Sequence, residues 1–248
     1  MTKSIVERIN DKNKMLETRE LTILYGVEGS GKTKTLCEIG SSIPNQHIIH
    51  ITLAGSSPVE QYKGFRNISS SIYQPITEIL EKDGNKVIII DLREITVDGI
   101  DYLLKKMVRD YNIDLKCTTL LIDNIERIVK SLSPKSSDGY EDKKKICMEL
   151  IELVRTNNLL CVVTNKRDAP YQGSLFNAYF DNVISIVDND LYVVKSRTSG
   201  YLGKIEGSHD KEIQKLKQEN ERLKQERNEM DVKLQKIEKK LNKIIKLL

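Results

Sequence analysis

The stretch "LTILYGVEGSGKTKTLCEIG", residues 21–40, decides the reading of the fold. It opens with an apolar run, passes through a glycine-rich turn and continues in helix-forming residues. The turn fits G-x-x-x-x-G-K-[ST] as Gly26, Gly31, Lys32 and Thr33. The chemistry explains the residue types. Glycines let the backbone wrap closely around an anion, and the unpaired N–H groups at the start of the following helix favour negative charge. A lysine at this point neutralises the β and γ phosphates of a nucleotide, and the hydroxyl after it suits a magnesium ion. Gly26, Gly29, Ser30, Gly31, Lys32, Thr33 and Lys34 are therefore the candidate phosphate cradle, with ATP or GTP and Mg2+ as the expected ligands and Thr33 as a metal ligand.

Working outward, apolar strand-like runs alternate with helical ones. Strands are expected at "ELTILYG", at residues 47–53, at "NKVIIIDLR", at "CTTLLIDN" and at "LLCVVTN". Helices are expected at "KTKTLCEIGSSI", at "VDGIDYLLKKMVRDYN" and at "GYEDKKKICMELIELVRTNN". In the second of these, Ile100, Leu103, Leu104 and Met107 share one face. The run "ISSSIYQPITEILEKDG" reads as a helix broken near Pro75. Continuous apolar strands between helices imply an α/β fold with a mostly parallel central sheet covered on both faces. "NVISIV" and "DLYVVKSR" are too close together for a helical crossover, so they are expected as antiparallel additions.

The organisation implied is a lead-in helix at residues 1–20, a nucleotide-binding core at 21–206, a hinge at 207–211 and a coiled coil at 212–248. Ile213, Asn220, Arg227, Leu234, Leu241 and Leu248 recur every seven residues, with Leu216, Leu223, Met230, Ile237 and Ile244 three residues behind. That repeat is the signature of a long coiled-coil helix, hence of an oligomer or a protein partner. "EGSH", residues 206–209, is either a natural hinge or the junction to an appended zipper.

Charge narrows the partners. Of the formal +4, the segment 210–248 contributes twelve Lys+Arg against eight Asp+Glu, which leaves 28 of each sign in the rest. The body is thus not a strongly basic nucleic-acid binder, and any DNA contact would use local loops. No run approaches the roughly 18 apolar residues that span a membrane, and the charged start is unlike a signal peptide. A cytoplasmic protein without a membrane partner is expected. Cys37, Cys117, Cys147 and Cys161 form no CxxC pair and read as buried, reduced thiols. His47, His50 and His209 make no ligand cluster.

A magnesium site also needs an acid at a strand end. The residues leave two contenders, Asp91 after "VIII" and Asp123 after "TLLI". Glu60, Glu94 and Glu126 lie farther along and are weaker candidates for activating water.

The ordered set "LTILYGVEGSGKTKT", "NKVIIIDLREITVDGIDYLLKKMVRDYN", "TTLLIDNIERIVK", "NNLLCVVTNK" and "DLYVVKSRTSGYLGKIEG" resembles the RecA/RadA recombinase superfamily. The likeness is nearest to short archaeal RadB-type paralogs that lack an N-terminal domain. The resemblance implies a RecA-like P-loop NTPase core and gives the magnesium role to Asp123. It implies catalytic roles for Lys32, Asp123 and Lys166, the last standing where the family has a γ-phosphate-sensing Gln. It also implies DNA recombination or repair, a recombinase-like partner or self-assembly, and contact with single-stranded DNA. Two loops would carry that contact. One is residues 130–145, with Lys130, Lys135, Lys143, Lys144 and Lys145; the other is residues 166–179, with Arg167, Tyr171, Phe176 and Tyr179. Lys195 and Arg197 form a further candidate pair. The sequence departs from the family after the second strand. "LAGS" replaces an Asp-x-Glu whose Glu activates water, so ATP hydrolysis is expected to be weak or altered. A structural or regulatory ATP-binding module, or another P-loop ATPase, is the alternative.

Overall fold

The computed structural model describes residues 9, 16, 20–44, 46–53, 57–68, 75–130, 140–166, 178–187, 190–196 and 203–205. They belong to one compact unit that ends at Ile205. The lead-in helix, apart from Ile9, Leu16 and Glu20, lies outside the described residues, as do the hinge and the coiled coil.

One mixed sheet of ten strands organises the unit, in the order β10-β9-β8-β1-β7-β6-β2-β5-β4-β3. Six central strands run parallel: β1 (Leu21–Tyr25), β2 (His47–Thr52), β5 (Asn85–Asp91), β6 (Thr118–Asp123), β7 (Leu160–Asn165) and β8 (Asn182–Val187). Their backbones are buried on both sides, which is why their sequences are runs of Ile, Leu and Val rather than alternating patterns. Antiparallel strands finish both edges. β9 (Asp190–Lys195) and β10 (Gly203–Ile205) extend one side, and β3 (Arg66–Asn67) with β4 (Ile76–Lys82) the other.

Two hydrophobic layers sandwich the sheet. Helix α1 (Lys32–Ser42) packs Leu36, Cys37 and Ile39 with Leu24, Ile48, Leu121 and Val162 on one face. Gly40 makes this approach possible, since a Cβ there would meet Leu121 Cδ1 at 2.9 Å. Helices α2 (Val97–Tyr111) and α3 (Tyr140–Thr156) cover the other face with Ile100, Leu104, Met107, Ile146, Leu150 and Val154. Thr96 starts α2 as an N-cap, its hydroxyl accepting from Gly99 N–H at 3.0 Å. Such a cap contributes about 1 kcal/mol.

Three expectations need correction. Residues 76–82 are not helical but form β4, hairpinned to β5 through Asp83–Gly84. Both turn residues have positive φ, 52° and 80°. That is the two-residue turn whose twist matches a right-twisted hairpin, and it prevails over the helix propensity of "ITEILEK". Second, β8 is not an antiparallel addition: it lies parallel to β1, and only β9 and β10 reverse. Third, Cys117 is exposed, whereas Cys37, Cys147 and Cys161 are buried. Cys117 ends a short turn before β6, ahead of the point where the sheet core begins.

Candidate functional site

Parallel strands bring their carboxyl ends to one edge, and ligands of such sheets bind there. In this chain the edge gathers the loop after β1, the tip of β6, the tip of β7 and the connection after β2. Together they line a cavity of about 510 Å3. Its walls are Glu28, Gly29, Gly31, Lys32, Thr33 and Lys34 from the loop and α1, Ser57, Pro58 and Gln61 from the connection, Asp123 from β6 and Lys166 directly after β7.

The loop conformation follows from its glycines. Gly29 and Gly31 have φ of 80° and 85°, in the left-handed region that costs any other residue about 1–2 kcal/mol. Gly26 is needed for a different reason. A Cβ there would collide with the Ser30 hydroxyl and come within 3.1 Å of the Ile186 carbonyl oxygen on β8. Gly31 opens α1 with no side-chain cap, and no acid occupies the first turn. The helix therefore presents uncapped N–H groups and the positive end of its dipole to the cavity. Ser30 Oγ is buried and has no hydrogen-bond partner among the described residues, a position that costs about 1–3 kcal/mol if it stays unmet.

Lys32 is buried to 8% exposure. Its Nζ donates to the carbonyls of Gly26 at 2.7 Å and Val27 at 2.6 Å. Burial lowers its pKa; Asp123 opposes that shift, the neighbouring Lys166 reinforces it and Glu28 opposes it. An anion in the cavity would give this ammonium the counter-charge its burial lacks.

Asp123 is held from both oxygens. Thr33 Oγ1 donates to Oδ2 at 2.5 Å, and Thr164 Oγ1 donates to Oδ1 at 2.5 Å. The carboxylate is 4% exposed and points at the first turn of α1. β7 lies between β1 and β6, and this inserted strand supplies Thr164. Asp91, the other contender, is exposed at the tip of β5, two strands beyond β6. Glu60, Glu94 and Glu126 are exposed and do not line the cavity.

The chain matches no protein-family model and no curated protein by sequence.

Each residue of the candidate cradle has its place. Gly29, Gly31, Lys32, Thr33 and Lys34 line the cavity, while Gly26 and Ser30 do not and pack against each other. Lys166, the residue after β7, lines the same cavity. Thr33 and Asp123 fit a hard divalent cation, which takes one or two protein oxygens and fills its shell with phosphate oxygens and water. That pattern needs no larger ligand cluster, and no group of three or more His, Cys, Asp or Glu that could hold a metal occurs among the described residues. The donor set suits a nucleotide triphosphate: cationic lysines, backbone N–H groups and one shielded carboxylate.

The outlying candidates fare differently. Lys195 Nζ donates to the Phe180 carbonyl at 2.6 Å, which ties β9 to the segment before β8. Lys130 pairs with Asp142 at 2.6 Å, Lys144 with Glu141 at 3.8 Å and Lys145 with Glu149 at 3.5 Å. Tyr179 packs partly buried against the core. Lys135, Arg167, Tyr171, Phe176 and Arg197 lie outside the described residues. Sequence reading missed Thr164, Ser57, Gln61 and Glu28. Thr164 had a usable signal, being a polar residue at the tip of an otherwise apolar strand. Gln61 had none, because it lies nine residues past β2 in a connection without a motif.

Proposed function

We propose that this chain binds MgATP at the sheet edge and works as a RecA-like, recombinase-type ATP-binding protein. In this reading it assists or regulates DNA recombination or repair and hydrolyses ATP weakly. The observation that carries the reading is the convergence of Lys32, Thr33 and Asp123 on one cavity at the start of α1. Lys32 and the N–H groups of the loop would hold the phosphates. Thr33 and Asp123 would hold the cation, which supplies charge neutralisation between the phosphates. Lys166 would approach the terminal phosphate from β7. The inserted strand β7 and the closing β9–β10 hairpin support the recombinase-like reading of the core.

Binding of a fluorescent ATP analogue with and without Mg2+, for the wild type and Lys32→Ala, tests the site. Loss of binding in the variant supports it, and equal binding by both sinks it. Salt-sensitive binding to single-stranded oligonucleotides, with and without ATP, tests the DNA arm.

A second reading is an ATP-binding module that acts through protein contacts of its coiled-coil segment. The pairing of Lys130, Lys144 and Lys145 with acids favours it, since those cations are partly neutralised. Removing residues 210–248 separates the two: lost assembly with retained ATP binding favours the module.

A further inference from the structure

The connection after β2 reaches the cavity with an amide rather than an acid. We infer that Gln61 is the residue that positions the attacking water for hydrolysis of the terminal phosphate. The inference rests on the proposed MgATP site and deepens it.

Three observations carry it. First, Gln61 lines the same cavity as the phosphate loop, together with Ser57 and Pro58, whereas its neighbour Glu60 does not. Second, the turn that carries Gln61 is built rigidly. Its N–H donates to the Pro58 carbonyl at 2.9 Å, Tyr62 N–H to Val59 at 3.1 Å and Lys63 N–H to the Gln61 carbonyl at 3.0 Å. Tyr62, the next residue, is 3% exposed, hydrogen-bonded through its hydroxyl to buried His50 Nδ1 at 2.7 Å and set edge-on to both His50 and Phe65. Gln61 itself is exposed. An exposed amide is thus held at the cavity wall between buried anchors, which is how a scaffold fixes a positioning group. Third, the acids that do line the cavity are placed for other tasks. Asp123 is occupied on both oxygens by Thr33 and Thr164, and Glu28 belongs to the loop that would wrap the phosphates.

The chemistry matches a glutamine. Its carbonyl oxygen can accept a hydrogen bond from the water, and its NH2 can donate one to a γ-phosphate oxygen. Water oxygen attacks the γ phosphorus while the bond from that phosphorus to the β–γ bridging oxygen breaks. The electron pair of that bond stays on ADP. Both protons of the water end on the released dihydrogen phosphate, so ATP4− and water give ADP3− and H2PO4−. An amide orients but does not accept a proton outright, and turnover is consequently slow and carries no acid limb of its own.

The test uses the full chain, with Lys32→Ala subtracting background hydrolysis. Gln61→Ala should keep ATP binding within about twofold and unfold at the wild-type temperature, while kcat falls about tenfold or more. Gln61→Glu should restore turnover above Gln61→Ala and add an acid limb to the pH profile that the wild type lacks. Turnover by Gln61→Ala at the wild-type rate overturns the assignment. So does a loss in Glu28→Gln that Gln61→Ala does not share, which would make Glu28 the group that acts on water. Wild-type binding without turnover also overturns the Gln61 role and leaves the ATP site standing. Absence of Lys32-dependent binding overturns the site itself, and the Gln61 role with it.

Discussion

The Thr33 hydroxyl donates to Asp123 Oδ2 at 2.5 Å, across 90 residues of sequence. The bond joins the first turn of α1 to the tip of β6 and brings the two expected cation ligands together. The second oxygen of Asp123 is claimed by Thr164 from the strand between them. The carboxylate thereby has one fixed orientation in the cavity wall.

Thr164→Val should expose this dependence. It removes the donor to Asp123 Oδ1 and keeps the shape. Groups that orient a metal ligand typically account for 10–100-fold in metal affinity, and a Mg2+ titration of ATP-analogue binding should show a loss in about that range. Binding measured without Mg2+ should stay unchanged. Equal Mg2+ dependence in variant and wild type would count against the role.

The loop glycines should separate two kinds of damage. Gly29→Ala has nothing within 4 Å of its Cβ, so it meets only the strain of φ 80°. It should cost about 1–2 kcal/mol in denaturant unfolding. Gly26→Ala must in addition push aside Ser30 and the Ile186 carbonyl, adding a packing strain of about 1–3 kcal/mol. Gly26→Ala should therefore be the less stable of the two.

His50 makes stability depend on pH. It is completely buried between Tyr62 and Cys37, and burial lowers its pKa from 6.5 to about 4, with Asp123 opposing the shift. Above about 6.5 neither the folded nor the unfolded chain protonates it. As pH falls below that value, the unfolded chain takes up a proton that the folded chain refuses until about 4. Stability should consequently fall by about 1 kcal/mol per pH unit across that window from this group alone. Urea unfolding at pH 7 and pH 5.5 should show the drop, and His50→Gln should flatten it. An unchanged slope in the variant would assign the effect elsewhere.

Thiol chemistry should single out Cys117. Burial pushes the thiols of Cys37 and Cys147 up to about 12 and that of Cys161 up as well, whereas Cys117 is exposed. A disulfide reagent should modify Cys117 rapidly in the folded chain and the other three only on unfolding. Rapid reaction of two or more would contradict the buried placement.

Legibility of this protein in its sequence varied with how local the cause was. Gly26, Gly31, Lys32 and Thr33 carry a contiguous chemical demand, and α1 starts where they place it. The Asp83–Gly84 turn was equally local, yet the helix formers in "ITEILEK" and the proline before them concealed the hairpin. The tip of β6 showed an acid, but the residues alone did not separate Asp123 from Asp91. Strand order did, because it sets β5 at a distance from the loop and leaves only β7 between β6 and β1.

By itself the sequence determined an α/β chain with a phosphate-loop signature at residues 26–33, since glycine freedom, helix start and apolar runs are properties of neighbours along the chain. Only the tertiary structure decided that Thr164 orients Asp123, that Lys166 shares the cavity with Lys32, and that Gln61 rather than the neighbouring Glu60 lines it. Those relations depend on which strands lie side by side and on a buried tyrosine anchoring a turn. They arise from long-range packing, where burial and hydrogen bonding act between residues that the sequence holds far apart.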